Sequence, residues 1–257
     1  MIPLVLQGAA GRMGQAVAQA ASTNPEFAIK GLVDVAANLR PHETMWSGDL
    51  DSVVTRGDVV IDFSAPAGCR AAARACLARG AALVTGTTGL SAADERAVAE
   101  AAAAVVVVRA ANFSLGLAAL RHALAAALSA VPDWDIEIVE RHHRAKVDSP
   151  SGTALALARD TAAARGRTAE PVLRFGREGR AGPRPAGEIG VHAVRGGTWV
   201  GDHAVLLAGE GEWLELRHVA QDRLAFAHGA LAAARFAARR SAPGLYNIED
   251  VLSEGSG

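Results

Sequence analysis

The chain has 257 residues, and its 26 Lys+Arg against 27 Asp+Glu leave a formal net charge of −1 with His neutral. That length suggests one large domain or two modest ones with ample core, and a composition that is 50% apolar and 21% charged argues against disorder. Near-neutral charge gives no general attraction to nucleic acid or to an anionic membrane, and apolar runs such as Ala101 to Val108 fall short of the ~20 residues that span a bilayer.

The opening MIPLVLQGAAGRMG has no cationic n-region or cleavage pattern. Ile2 to Leu6 reads as a short strand, and Gln15 to Ala21 as a helix after the glycines. Further strands are expected at Phe27 to Val35, Asp58 to Phe63, Ala82 to Thr85 and Val105 to Arg109, with Ala-rich helices at Gly68 to Arg79 and Ser91 to Ala104. Short apolar strands alternating with helices predict a parallel sheet covered on both faces. The polar stretch from Ala36 to Asp51 reads as loop. Cys69 and Cys76 lie two turns apart on one helix, about 10 Å, too far for a disulfide. They read as inert, partly buried thiols, which fits a reducing cytoplasm.

The second half has a different texture. A helix is expected near Leu115 to Leu128, a strand at Asp135 to Glu140, and a helix opening at Ser149-Pro150-Ser151-Gly152-Thr153. Arg174 to Gly190 is rich in Gly, Arg and Pro and reads as a mobile loop. His192 to Arg195, Trp199 to Ala208 and Trp213 to Val219 read as strands joined by glycine turns. A last helix, Leu224 to Arg239, carries Arg235, Arg239 and Arg240 near its C-terminal end, where cations complement the dipole.

Two places carry chemistry. Gly8-Ala9-Ala10-Gly11-Arg12-Met13-Gly14 runs from strand through turn into helix, so Gly8 can make the tight turn, Gly11 can let backbone approach a pyrophosphate and Gly14 can let the helix pack closely. Exposed N–H groups at the helix start then favour phosphates. The GxxGxxG spacing alone could be a plain glycine turn. Asp34, 20 residues after Gly14 at the end of the second strand, is placed to accept from ribose hydroxyls and favours a dinucleotide. Turns at Gly86-Thr87-Thr88-Gly89 and Ala111-Asn112-Phe113-Ser114 follow later strands, where ligands of open α/β sheets bind.

The second place is Glu140-Arg141-His142-His143-Arg144-Ala145-Lys146-Val147-Asp148. Strand alternation puts Ile136, Ile138, Glu140 and His142 on one face and Val139, Arg141 and His143 on the other. The adjoining histidines therefore point apart, which argues against a metal. On the residues alone the cluster is either a solvated basic strand end or a site for a small di-acid. The helix start at Ser151-Gly152-Thr153 could hold a carboxylate, and His142 or Lys146 could deliver a proton.

With Asp62-Phe63-Ser64, Val194-Arg195-Gly196-Gly197, Gly201-Asp202-His203 and the ending Gly244 to Leu252, these motifs resemble the 4-hydroxy-tetrahydrodipicolinate reductase (dihydrodipicolinate reductase) family. The likeness runs in order along nearly the whole chain, and the HHRAKVDSPSGTA run is its most specific part. It implies an α/β fold: a Rossmann-type dinucleotide-binding domain, residues 1–113 and 223–257, with an inserted α+β substrate-binding and tetramerisation domain, residues 114–222. It implies NAD(P)H-dependent reduction of a cyclic dicarboxylate in lysine biosynthesis via diaminopimelate, by a cytoplasmic homotetramer. By position it assigns Gly8, Ala9, Ala10, Gly11, Arg12, Met13, Asp34, Gly86, Thr87, Thr88, Ala110, Ala111, Asn112 and Phe113 to the cofactor. His143, Gly152 and Thr153 fall to the substrate, with His142 and Lys146 as proton donors and no metal. One departure concerns the cofactor. Many members carry an arginine after the acidic residue of the second strand to meet the 2′-phosphate of NADPH. Val35 stands there instead, which leaves Arg12 or Arg40 to substitute and implies use of NADH and NADPH with some preference for NADH.

Overall fold

Runs in which consecutive residues are all apolar, rather than every second one, build the first sheet. The computed structural model describes residues 1–35 and 45–254. In chain order it places β1 at Ile2–Gln7, α1 at Arg12–Ser22, β2 at Phe27–Val33, β3 at Trp46–Ser47, β4 at Val59–Asp62 and α2 at Pro66–Arg79. There follow β5 at Ala82–Thr85, α3 at Ala92–Ala102, β6 at Val106–Arg109, α4 at Leu115–Ala130, β7 at Asp135–His142 and α5 at Gly152–Ala164. The chain then forms β8 at Leu173–Phe175, β9 at Ile189–Arg195, β10 at Gly201–Ala208, β11 at Trp213–Ala220, α6 at Leu224–Arg239, β12 at Gly244–Tyr246 and α7 at Ile248–Glu254. Two units result, Met1–Leu115 with Arg223–Gly257, and Gly116–Asp222.

The first unit holds a seven-stranded sheet in the order β12-β6-β5-β4-β1-β2-β3, with every pairing parallel. Leu4, Val5, Leu6, Val59, Val60 and Ile61 are all buried, as strands covered on both faces require. On one face Val5, Val60, Leu83 and Val107 pack against Cys69, Ala72 and Cys76 of α2 and Ala97, Val98 and Ala101 of α3. Helices α1 and α6 pack together, and α6 also crosses β4, β5 and β6. Both cysteines are free and fully rather than partly buried. Burial pushes the Cys69 thiol up to about 12, which keeps it from acting as a nucleophile.

The second unit holds a mixed five-stranded sheet in the order β11-β10-β7-β9-β8. Strand β10 is antiparallel to β11 and β7, while β9 is parallel to β7 and β8. Alternation along β7 buries Ile136 and Ile138 against Leu120, Leu124 and Leu128 of α4 and Leu157, Ala158 and Ala162 of α5. Its odd residues face the other way, beside Trp213, Arg217 and Val219 of β11 in register.

Several boundaries differ from the sequence expectation. Strand β7 runs two residues past Glu140, because His142 continues the buried alternation. The stretch from Arg174 to Gly190, expected as a mobile loop, gives its ends to β8 and β9, and Arg177 and Arg184 tie its middle to Glu137. Trp46 and Ser47, expected within a loop, pair with β2 as a short edge strand, while residues 36–44 of that loop, Arg40 among them, lie outside the described residues. No helix among the described residues is long and apolar enough to cross a membrane.

Leu157 is fully buried in the second unit's core, so Leu157→Ala is expected to destabilise it by about 2–5 kcal/mol through lost burial and a residual cavity. Urea denaturation of the variant followed by circular dichroism measures this, and a loss well under 1 kcal/mol would show that α5 is not anchored through Leu157.

Candidate active site

At the carboxyl ends of the first sheet's strands, the glycine loop follows β1. Gly8 has φ 77°, a left-handed conformation that a side chain would strain. A Cβ on Gly14 would run into the Gly8 carbonyl oxygen and the Ala9 backbone, so only glycine lets α1 start this close to the strand. No side chain caps α1 at Gly11, which leaves its first turn open to an anionic partner. Asp34 lies at the end of β2, and its Oδ2 accepts the Ala10 N–H at 3.0 Å, which holds the middle of the loop. Val35 beside it is 93% exposed and fills no core position.

The other expected cofactor residues follow β5 and β6 on the same edge of this sheet. Gly86 must lack a side chain, since a Cβ there would strike the Phe63 ring. Thr87 is buried, whereas Thr88 is exposed. Ala110 donates its N–H to the Thr85 carbonyl, and the Asn112 side chain accepts the Ser114 N–H at 2.9 Å. Phe113 is 1% exposed and stands edge-on to Phe63 with centroids 5.6 Å apart, so its ring is a packing element and only its backbone can face a ligand. Behind these loops lies a residue to which the sequence assigned no role. Asp62 is fully buried, and its carboxylate accepts from Ser64 N, Ser64 Oγ, Thr85 Oγ1 and Thr87 Oγ1.

In the second unit, the inner face of the sheet changes character along β7. Ile136 and Ile138 give way to Glu140 and His142, across from His203 on β10. Glu140 is fully buried. Its carboxylate takes two guanidinium N–H bonds from Arg195 at 2.7 Å each, His142 Nδ1 at 2.6 Å and the Ser151 N–H at 3.0 Å. Burial alone would raise the Glu140 pKa, but Arg195, His142 and the Ser151 N–H outweigh it and hold the group below its usual range. A carboxylate at Nδ1 makes that nitrogen the protonated one and leaves Nε2 for exchange. Next to Nε2 stands Gly201, where a Cβ would come within 3.2 Å, so a glycine keeps that space clear.

Ser151 caps α5, its Oγ accepting the Ala154 N–H at 3.2 Å and meeting His203 Nε2 at 3.1 Å. His143, half-buried and just past the end of β7, is held by its N–H to the Trp199 carbonyl. Lys146 Nζ lies 2.8 Å from the Asp148 carboxylate. That bond, with the Gly152 N–H, holds Asp148 below its usual range despite some burial. Lys146 and the start of α5 therefore already hold one carboxylate, supplied by the chain itself. His142, Lys146, Gly152 and Thr153 thus gather around the end of β7 and the start of α5, and His143 follows directly on β7. Sequence reasoning placed Glu140 on the His142 face but missed Arg195 and His203 as its neighbours. Both stood only within quoted motifs, and pairing across strands is not visible in spacing.

Burial first, and His142 next, push His203 down from its ordinary 6.5 to about 4. The unfolded chain therefore binds this proton more tightly. The stabilisation from a neutral His203 is complete above about pH 6.5 and is lost as pH falls toward 4. At about pH 5 the loss is roughly 2 kcal/mol. His203→Asn is accordingly expected to flatten the decline in unfolding midpoint between about pH 7.5 and about pH 5. Equal slopes in wild type and variant would remove His203 as its source. His218, also lowered by burial, acts with the same sign in both proteins.

Comparison with known proteins bears on both sites. The family model described as dihydrodipicolinate reductase, N-terminus, matches residues 2–113, and that for the C-terminus matches residues 116–252. A 4-hydroxy-tetrahydrodipicolinate reductase of Thermomicrobium roseum is 46% identical over 261 aligned residues, covering 98% of this chain and 100% of the relative. That of Akkermansia muciniphila is 42% identical, covering 98% of each. Among solved structures, a dipicolinate-bound dihydrodipicolinate reductase from Paenisporosarcina sp. TG-14 superposes with a TM-score of 0.78 at 25% identity, covering 97% of this chain and 99% of that one.

Proposed function

The chain belongs to the dihydrodipicolinate reductase family, and we propose that its glycine loop and its histidine–lysine cluster are the cofactor and substrate sites of that reaction. The activity is reduction of 4-hydroxy-tetrahydrodipicolinate to tetrahydrodipicolinate, with loss of water, in lysine biosynthesis through diaminopimelate. When bound, a reduced nicotinamide would supply the hydride for C4 of the substrate ring.

The chain's own residues bind, orient and protonate. Gly8, Ala9, Ala10, Gly11, Arg12 and Met13 would hold the pyrophosphate through backbone N–H groups and the α1 dipole. Asp34 would accept from the adenosine ribose, and Gly86, Thr87, Thr88, Ala110, Ala111, Asn112 and Phe113 would border the nicotinamide half. His143, Gly152 and Thr153 would take the substrate's carboxylates, with Lys146 beside them. A substrate carboxylate at the start of α5 would exchange with Asp148 for Lys146. His142 would give the proton from Nε2 while Glu140 holds Nδ1, and Lys146 is the alternative donor. Positive charge from Lys146, Arg144 and the α5 N-terminus stabilises negative charge that develops as hydride arrives. Association of four copies we place on the outer face of the second sheet, where Trp213 and Val219 are 63% and 51% exposed. The observation that carries the reading is the clamp of Glu140 on both His142 and the Ser151 N–H, which sets a proton donor beside a carboxylate-binding helix start.

The deciding experiment is NADH oxidation by the purified protein with freshly generated 4-hydroxy-tetrahydrodipicolinate. Dinucleotide binding without turnover would replace the reading with a non-catalytic sensor. In the same assay His142→Ala is expected to lower kcat by ~10²–10⁴ while leaving cofactor affinity nearly unchanged. Wild-type turnover in that variant would assign the proton to Lys146.

Cofactor choice follows from the ribose end. Asp34 welcomes the 2′-hydroxyl of NADH and repels a 2′-phosphate, and Val35 offers no compensating cation. Use of both cofactors with a preference for NADH is expected, and Val35→Arg is expected to shift kcat/KM toward NADPH by adding a fork-shaped cation. The ratio of kcat/KM for the two cofactors at fixed salt measures this. A wild type that strongly favours NADPH would overturn this reading and point to Arg12 or Arg40 as the phosphate ligand.

A further inference from the structure

Asp62 is a buried acid with an unusual set of partners. It ends β4, is wholly removed from solvent, and forms no ion pair among the described residues. Four neutral donors surround it instead. Ser64 gives its N–H at 3.2 Å and its hydroxyl at 2.5 Å to Oδ1, while Thr85 and Thr87 each give a hydroxyl at 2.8 Å to Oδ2. Burying a charge without a cation is costly, so such a carboxylate persists only where its acceptor sites are filled by strong hydrogen bonds.

Those bonds have a direction. Ser64 belongs to the turn after β4, Thr85 ends β5, and Thr87 belongs to the turn after β5. The Ser64 N–H also reaches Thr87 Oγ1 at 3.1 Å, so hydroxyl and carboxylate close a ring between the two turns. The Asp62 carbonyl takes the Gly86 N–H, which binds the same turn a second time. Asp62 thus fixes Gly86 and Thr87 from behind while leaving Thr88 exposed at the front. An asparagine could not do the same, because its amide nitrogen cannot accept from hydroxyls.

We propose that Asp62 is a positioning residue, whose carboxylate clips the turns after β4 and β5 together and so shapes the nicotinamide half of the dinucleotide site. This rests on the assignment of that site to a dinucleotide. The glycine loop and Asp34, which would hold the other half, make none of these bonds.

Isothermal titration of the full-length protein with NADH and with ADP-ribose, which lacks the nicotinamide, separates the halves. Asp62→Asn is expected to weaken NADH binding on the order of ten-fold, the worth of a charge-assisted hydrogen bond, and to leave ADP-ribose binding unchanged. Thr85→Val, nearly isosteric and set back on the strand, is expected to act in the same direction by a few-fold, and it decides the matter should Asp62→Asn fail to fold. Equal weakening of both ligands, or no weakening of either, would overturn the proposal by reducing Asp62 to general stability or to none. A wild type that binds neither ligand would overturn the dinucleotide assignment itself, and the proposal with it.

Discussion

The second unit depends on the four hydrogen bonds of one buried carboxylate. Glu140 joins β7 to β9 through Arg195, to the start of α5 through the Ser151 N–H, and to His142 two residues along its own strand. A charge in a sheet interior is tolerated only when paired and fully bonded, and removing one partner of such a pair typically costs about 3–5 kcal/mol. The same bonds that make Glu140 tolerable fix the tautomer of His142 and the position of the α5 N-terminus. On the proposed function, stability and function are therefore not separable at this residue.

The first unit also buries a carboxylate where its sheet turns polar, but with different chemistry around it. Glu140 is neutralised by a guanidinium, whereas Asp62 is held by hydroxyls and an N–H without a counter-charge. Arg195 matches two carboxylate oxygens with a planar fork and holds them rigidly. Hydroxyls and an N–H fill as many acceptor positions without bringing a cation. On the proposed function the second unit receives an anion, and a neutralised acid suits that role.

What was legible in the sequence was whatever a single segment encodes. Continuous apolar runs gave the parallel strands, alternation gave the faces of β7, and glycine spacing gave the loop that Gly8 and Gly14 require. The candidate site residues stood out as motifs, by resemblance, more than as geometry. Missed were the contacts between segments distant in the chain: Arg195 on Glu140, His203 beside His142, and Thr85 and Thr87 on Asp62. Edge elements were missed for a related reason. Trp46–Ser47 and Gly244–Tyr246 are two and three residues long, too short for any periodicity, and they exist only because β2 and β6 offer them an edge.

On the proposed cofactor assignment, the glycine loop gives a reason for tuning cofactor choice at position 35 and not at position 34. Asp34 has two tasks, since the oxygen that could meet a ribose hydroxyl belongs to the carboxylate that already holds the Ala10 N–H. Replacing it to admit a 2′-phosphate would release the loop that the pyrophosphate needs. Val35 has no such obligation: it is almost wholly exposed and packs on nothing in the core. A cation can be added there without disturbing the loop, and the carboxylate beside it would keep the guanidinium oriented toward the ribose end. On that assignment specificity can vary at position 35, because the structural demand of the loop falls on its neighbour.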